Sequence, residues 1–228
     1  MRRPTVAALV TLLLAGHLGA LHPAAFARSH HRRREAQAPA GRFDYYVLSL
    51  SWSPQHCAEQ HTTRDDAQCD GPRRYGFIVH GLWPQFDDGG YPHDCVSSTR
   101  LPPSVVDHTL DLMPSRDLIR HEWQTHGTCS GLAPDAYFTR VRAAFGGVVV
   151  PDRYHDPQSA FRVTAAGIRG EFRATNPALR DDDLAVICKG HFLSELRLCL
   201  AKDDLTVRSC DRTIRDDCHG EVTVRPLR

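Results

Sequence analysis

Lysine is nearly missing from this sequence: Lys189 and Lys202 are the only two, so arginine carries almost all of the 28 basic side chains. Those are offset by 27 acidic residues, and a formal charge of +1 excludes a broadly basic coat for nucleic acid. Any RNA or DNA chemistry must therefore rest on a local site. None of the eight cysteines forms a Cys-x-x-Cys pair, which argues against a structural zinc site and a thioredoxin-like dithiol. There is no internal repeat, and no apolar run is long enough to span a bilayer. What is present is ordinary for a globular chain. With 41% hydrophobic and 24% charged residues, the 228-residue chain should bury one sizeable core rather than remain disordered.

The N-terminus reads as a secretory signal over residues 1–27. Arg2 and Arg3 give a positive start, Val6 to Leu14 a short apolar stretch, and Ala25-Phe26-Ala27 a small-residue cleavage site, with a cut near Ala20 as the alternative. Cleavage would remove two arginines and no acid, turning the formal charge slightly negative. Residues 28–41, with the basic run His30 to Arg34, read as a solvated linker, and residues 42–228 as one domain. An even set of cysteines behind a signal points to four disulfides in an oxidising compartment, either periplasmic or extracellular. Spacing alone leaves the connectivity open. Once the signal is gone, nothing predicts a membrane association, and a monomer is the default.

Phe43 to Trp52 alternates, with Tyr46, Leu48, Leu50 and Trp52 on one face, and predicts a strand. Residues 53–74 read as a loop. Gly76 to His80 predicts a short strand ended by Gly81 and Pro84, and Asp87 to Pro103 reads as another loop. Ser115 to His126 predicts a helix capped by Ser115 and closed by Gly127. Helices are also expected over Asp135 to Phe145 and Ser159 to Arg173. Strands are expected at Leu184 to Lys189, Phe192 to Ala201, Leu205 to Arg208 and Glu221 to Arg225. Strands and helices do not alternate regularly, which favours an α+β fold with a mainly antiparallel sheet.

Two stretches carry the chemistry: Phe77-Ile78-Val79-His80-Gly81-Leu82-Trp83-Pro84 and His121-Glu122-Trp123-Gln124-Thr125-His126-Gly127-Thr128-Cys129. Glu122 and His126 are four apart and would share a helical face, so that Glu122 can bond His126 or join it at one substrate atom. His121 flanks that face. The second stretch fails the His-Glu-x-x-His zinc test, because the position needed for the second histidine is Thr125. A zinc hydrolase is thereby weakened. A helix with merely solvated histidines remains the bland reading. His80 would end its strand facing a cleft. A lone histidine there is usually an ordinary surface residue, but a second histidine cluster changes the balance. Trp83 suits either the core or a platform on which a base stacks, a contact worth roughly 1–3 kcal/mol. Two histidines with one carboxylate suggest acid–base chemistry, since one imidazole can be neutral while another is protonated. RNA is a fitting substrate because its 2′-OH is an internal nucleophile.

These stretches resemble the paired active-site segments of the ribonuclease T2 family of secreted acid ribonucleases. The resemblance extends to Leu48-Ser49-Leu50-Ser51-Trp52-Ser53-Pro54 with Cys57, and to Ile187-Cys188-Lys189-Gly190 running into Glu195 and Cys199, covering roughly residues 43–218. The opening segment looks like the bacterial and animal branches. The resemblance implies an α+β sheet with flanking helices and metal-independent cleavage of single-stranded RNA, not DNA, through a 2′,3′-cyclic phosphate, with no cofactor. It implies His80 as general acid, His126 as general base, Glu122 as the residue that orients or charge-balances His126, His121 as a phosphate ligand and Trp83 as a base platform. It also implies the disulfides Cys57–Cys69, Cys95–Cys129, Cys188–Cys218 and Cys199–Cys210.

One departure stands out. Most members of that family carry lysine just before the second catalytic histidine, and here Thr125 occupies the position. Loss of one such electrostatic stabiliser can cost on the order of 10²–10³ in rate. Gln85 stands where some relatives have an acid that contributes to base choice, so no base preference carries over. The competing reading is a protein of this type that binds RNA without cutting it.

Overall fold

The structure, a computed structural model, describes residues 39–59, 67–97 and 100–227. The expected signal segment and most of the expected linker lie outside the described residues. The chain builds a six-stranded, mainly antiparallel sheet with helices packed against it, an α+β fold. Its strands are β1 (Tyr45–Trp52), β2 (Phe77–Gln85), β3 (Phe161–Thr164), β4 (Leu184–Lys189), β5 (Phe192–Ala201) and β6 (Glu221–Val224). The helices are α1 (Ser53–Glu59), α2 (Pro103–Asp107), α3 (Arg116–Thr125), α4 (Pro134–Gly146) and α5 (Ala165–Thr175).

β1 lies between β2 and β5, antiparallel to both. Central placement buries it on both faces. Tyr46, Leu48, Leu50 and Trp52 enter the main core, while Tyr45 and Val47 pack with Cys199 on the other side. α3, α4 and α5 cover the main core with Ile119, Trp123, Tyr137, Phe138, Val141, Ile168 and Phe172. β4 also pairs with β5, and one parallel contact, Phe192 with Thr223, joins β5 to β6.

Four segments differ from expectation. Residues 53–74 begin with α1, whose Pro54 is tolerated in a first helical turn. Long-range contacts hold it: Gln68 Nε2 donates to Ser53 Oγ at 3.0 Å, and Cys57 is bonded to Cys69. β2 continues through Gly81 and Pro84 to Gln85, because it is an edge strand, where a missing N–H is tolerated. The segment expected as a single helix from Ser159 starts as β3. Its helix begins only after Thr164, whose side chain caps Gly167 N at 3.1 Å. Leu205 to Arg208 forms no strand beyond one bridge between Leu200 and Val207, since Leu205 sits at φ 61 and breaks the extended run.

Four disulfides join Cys57 to Cys69, Cys95 to Cys129, Cys188 to Cys218 and Cys199 to Cys210. The second ties the loop after β2 to the turn that follows α3. Among the described residues, no helix is long and apolar enough to cross a membrane.

Candidate active site

The β1–β2 ladder slips at the residue of most interest. Ser49 faces Gly81 and Leu50 faces Val79, so His80 is the extra residue on β2, a β-bulge. Bulges bend a strand and re-aim one side chain. The His80 side chain stays 33% exposed. Gly81 keeps the space next to it open, because an added Cβ would fall on Glu122 Oε2 and Trp83 Nε1.

α3 supplies the opposite wall. Ser115 caps it by accepting from Leu118 N at 3.3 Å. Its buried side carries Ile119, Glu122 and Trp123, and His121 is exposed. Trp123 belongs to the core, with its ring 5.8 Å from Tyr137. Glu122 is 1% exposed, accepts from Trp83 Nε1 at 2.7 Å and lies 3.7 Å from His80 Nε2. The side-chain pairing of Glu122 with His126 expected from helical spacing is not made. His126 ends the helix at φ −116, off the regular helical path, and Glu122 turns to β2 instead.

The two histidines meet through one indole. The Trp83 ring centroid is 5.2 Å from that of His80 and 5.4 Å from that of His126. Trp83 also lies 5.3 Å from the Arg197 guanidinium, so the expected base platform already has three neighbours on the protein side. His121 is close enough to act electrostatically on His126.

Their environments push the two imidazoles apart in acidity. Burial lowers His126 to about 3, aided by the neighbouring His121, His80 and His93 and opposed by Asp94. Its Nδ1 is buried with no hydrogen-bond partner among the described residues, which disfavours a second ring proton. Burial also acts downward on His80. There, the Glu195 hydrogen bond and the charges of Glu122 and Glu195 outweigh it and the opposing Arg197, and the His80 pKa is raised. Burial lifts Glu122 to about 7 against the pull of His80 and Trp83. Glu195 is held down at about 2, because His80 and Arg197 overcome its burial.

Several neighbours escaped the sequence reading. Glu195 and Arg197 sit on β5, and Glu195 was legible only as part of a family-like segment with no role attached. Tyr91, His93 and Asp94 lie in the loop after β2. The Tyr91 ring is 5.7 Å from His126, and Asp94 N donates to Thr125 O at 2.9 Å. The adjacent Cys95 was the one sign that this loop is fastened near α3. Among the described residues, no group of three or more His, Cys, Asp or Glu is arranged to hold a metal ion.

Two imidazoles with oppositely shifted acidities thus flank one indole, with Glu122 and Glu195 beside His80. The family model described as the Ribonuclease T2 family matches residues 43–210. A ribonuclease of Aeromonas hydrophila is 52% identical over 99 residues, covering 43% of each chain. A probable ribonuclease of Haemophilus influenzae is 32% identical over 138 residues, covering 55% of this chain and 50% of that one. The chain thus spans half or less of the length of these two curated relatives. An RNase-related protein from Calystegia sepium has a similar fold, with a TM-score of 0.64 and 21% identity over 81% of this chain and 98% of that one.

Proposed function

This chain belongs to the ribonuclease T2 family, and on that premise we propose that it is a metal-independent endoribonuclease that cuts single-stranded RNA by transphosphorylation. The observation that carries the reading is the pair His80 and His126, both against Trp83 and with their acidities shifted in opposite directions. Titratable groups whose surroundings separate their pKa values mark acid and base roles.

Neutral His126 takes the proton from the 2′-OH. The 2′-oxygen bonds to phosphorus, and the bond from phosphorus to the 5′-oxygen breaks. Protonated His80 gives its Nε2 proton to the departing oxygen. The products are a 2′,3′-cyclic phosphate and a free 5′-OH, with His126 now charged and His80 neutral. Exchange with water, or hydrolysis of the cyclic ester with the roles reversed, resets the pair. When ionised, Glu122 favours the His80 imidazolium. When protonated, it can donate to a phosphoryl oxygen. His121, exposed at the rim, is the phosphate ligand of this reading, and Trp83 the base platform.

Residues 1–27 are then the signal, 28–41 the linker and 42–228 the catalytic domain of a secreted or periplasmic monomer. Four disulfides suit that compartment.

The test incubates the purified protein with single-stranded RNA and with DNA of the same sequence, in excess EDTA, from about pH 3 to about pH 8. Cyclic-phosphate ends from RNA alone, with a bell-shaped profile, are expected. Activity should fall on the acid side as His126 becomes protonated and on the alkaline side as His80 loses its proton. Binding without cutting would mean an RNA-binding relative, and inhibition by EDTA would restore the zinc reading.

A further inference from the structure

Glu195 is a largely buried carboxylate, its side chain 13% exposed, that the proposed chemistry does not use. Its Oε2 accepts from three donors: Arg197 Nη2 at 2.9 Å, Arg197 Nε at 3.1 Å and Ser49 Oγ at 3.3 Å. Its Oε1 meets His80 Nδ1 at 2.8 Å. The sheet enforces this convergence. Ser49 of β1 faces both Gly81, beside the bulge, and Arg197 on β5, while Ser51 faces Glu195. The bulge aims the ring, and β5 brings the carboxylate to its Nδ1 edge.

We infer that Glu195, locked by Arg197 and Ser49, is a positioning residue that fixes which nitrogen of His80 carries the transferable proton. A carboxylate can only accept, so Nδ1 keeps its hydrogen in both protonation states. The proton that comes and goes is then on Nε2, the edge that faces Glu122 and the cleft. Glu195 touches no reacting atom and acts through His80, as a buried acid holds the imidazole in a serine-hydrolase triad. The charged and titratable groups around His80 are Glu195 and Arg197 from β5, Glu122 from α3, and His126 beyond Trp83. Arg197 tempers Glu195, so that the imidazolium is favoured yet still releases its proton. The catalytic consequence rests on the ribonuclease reading, but the tautomer does not.

The test reads the imidazole first. In protein carrying 15N-labelled histidine, with the His80 signals assigned by their loss in His80→Gln, the neutral ring should hold its proton on Nδ1. Free histidine favours the opposite form. In Glu195→Gln an acceptor remains but the charge is gone. The tautomer should persist while the His80 titration falls by about one pH unit or more. The alkaline limb of kcat/KM should move down with it. Glu195→Ala should lose the tautomer preference and lower kcat by about 10²-fold with KM nearly unchanged. A neutral His80 protonated on Nε2, or a titration unmoved in Glu195→Gln, overturns the inference. If both variants fail to fold, the unmutated protein's tautomer decides. Wild-type protein that leaves RNA intact while its His80 behaves as described would sink the ribonuclease reading and leave this one standing.

Discussion

At the scale of single residues, the proposed chemistry rests on two imidazoles that lie outside the hydrophobic core. His80→Ala and His126→Ala should each remove most of the cleavage activity, at least about 10²-fold, while near-UV circular dichroism stays native. Near-normal turnover in either variant would overturn the role given to that residue. Thr125 poses a sharper question. The nearby Arg197 is engaged with Glu195, so β5 supplies no free cation to replace an ammonium at position 125. Thr125→Lys should therefore raise kcat toward the roughly 10²-fold that one electrostatic stabiliser can contribute. An unchanged or lower rate in a single-turnover assay would show that charge is balanced differently here. Both histidine segments were legible because chemistry demands particular side chains at short spacing. Glu195 and Arg197 were not, because their meeting with His80 spans more than a hundred residues and depends on strand register.

At the scale of elements, periodicity predicted β1, α3, α4, β4, β5 and β6 closely, since each buries one repeating face or a continuous apolar run. It failed where tertiary contacts outweigh local signals. α1 hides behind a proline and polar side chains and is fastened by Cys57–Cys69. β2 passes through a glycine and a proline that usually end strands, because only one of its edges is paired. The link from Cys95 to Cys129 closes a span of 34 residues and joins the Tyr91–Asp94 loop to the turn after His126. Replacing both cysteines by serine should cost about 3 kcal/mol in denaturant unfolding. It should also raise KM more than it lowers kcat, since the loop borders the cleft without supplying the acid or the base. Unaltered KM would show that the loop holds its place unaided.

At the scale of the whole molecule, buried titratable groups tie stability to pH. His126 goes from 6.5 unfolded to about 3 folded, so the unfolded chain binds more protons between those values and stability is lost as pH falls through them. Glu195, lowered from 4.5 to about 2, adds a second loss below pH 4.5. Glu122 runs the other way. Raised from 4.5 to about 7, it stabilises most below 4.5 and loses that contribution as pH rises. Tm should thus be nearly level between pH 4.5 and 6.5, where His126 and Glu122 oppose each other, and drop steeply below 4.5. In Glu122→Gln the decline should already begin near pH 6.5. Scanning calorimetry across this range checks both, and a Tm insensitive to acid would contradict the burial of His126.

The slipped register opposite Ser49 and Leu50 has one more implication. A version of this chain one residue shorter at that point would zip its edge strand evenly against β1, with every ladder bond in step. Such a sheet would be more regular and would have no imidazole over the cleft. On the proposed mechanism the general acid sits at this irregularity, one of two register shifts among the described strands, so selection for smoother pairing and selection for turnover would pull this strand in opposite directions.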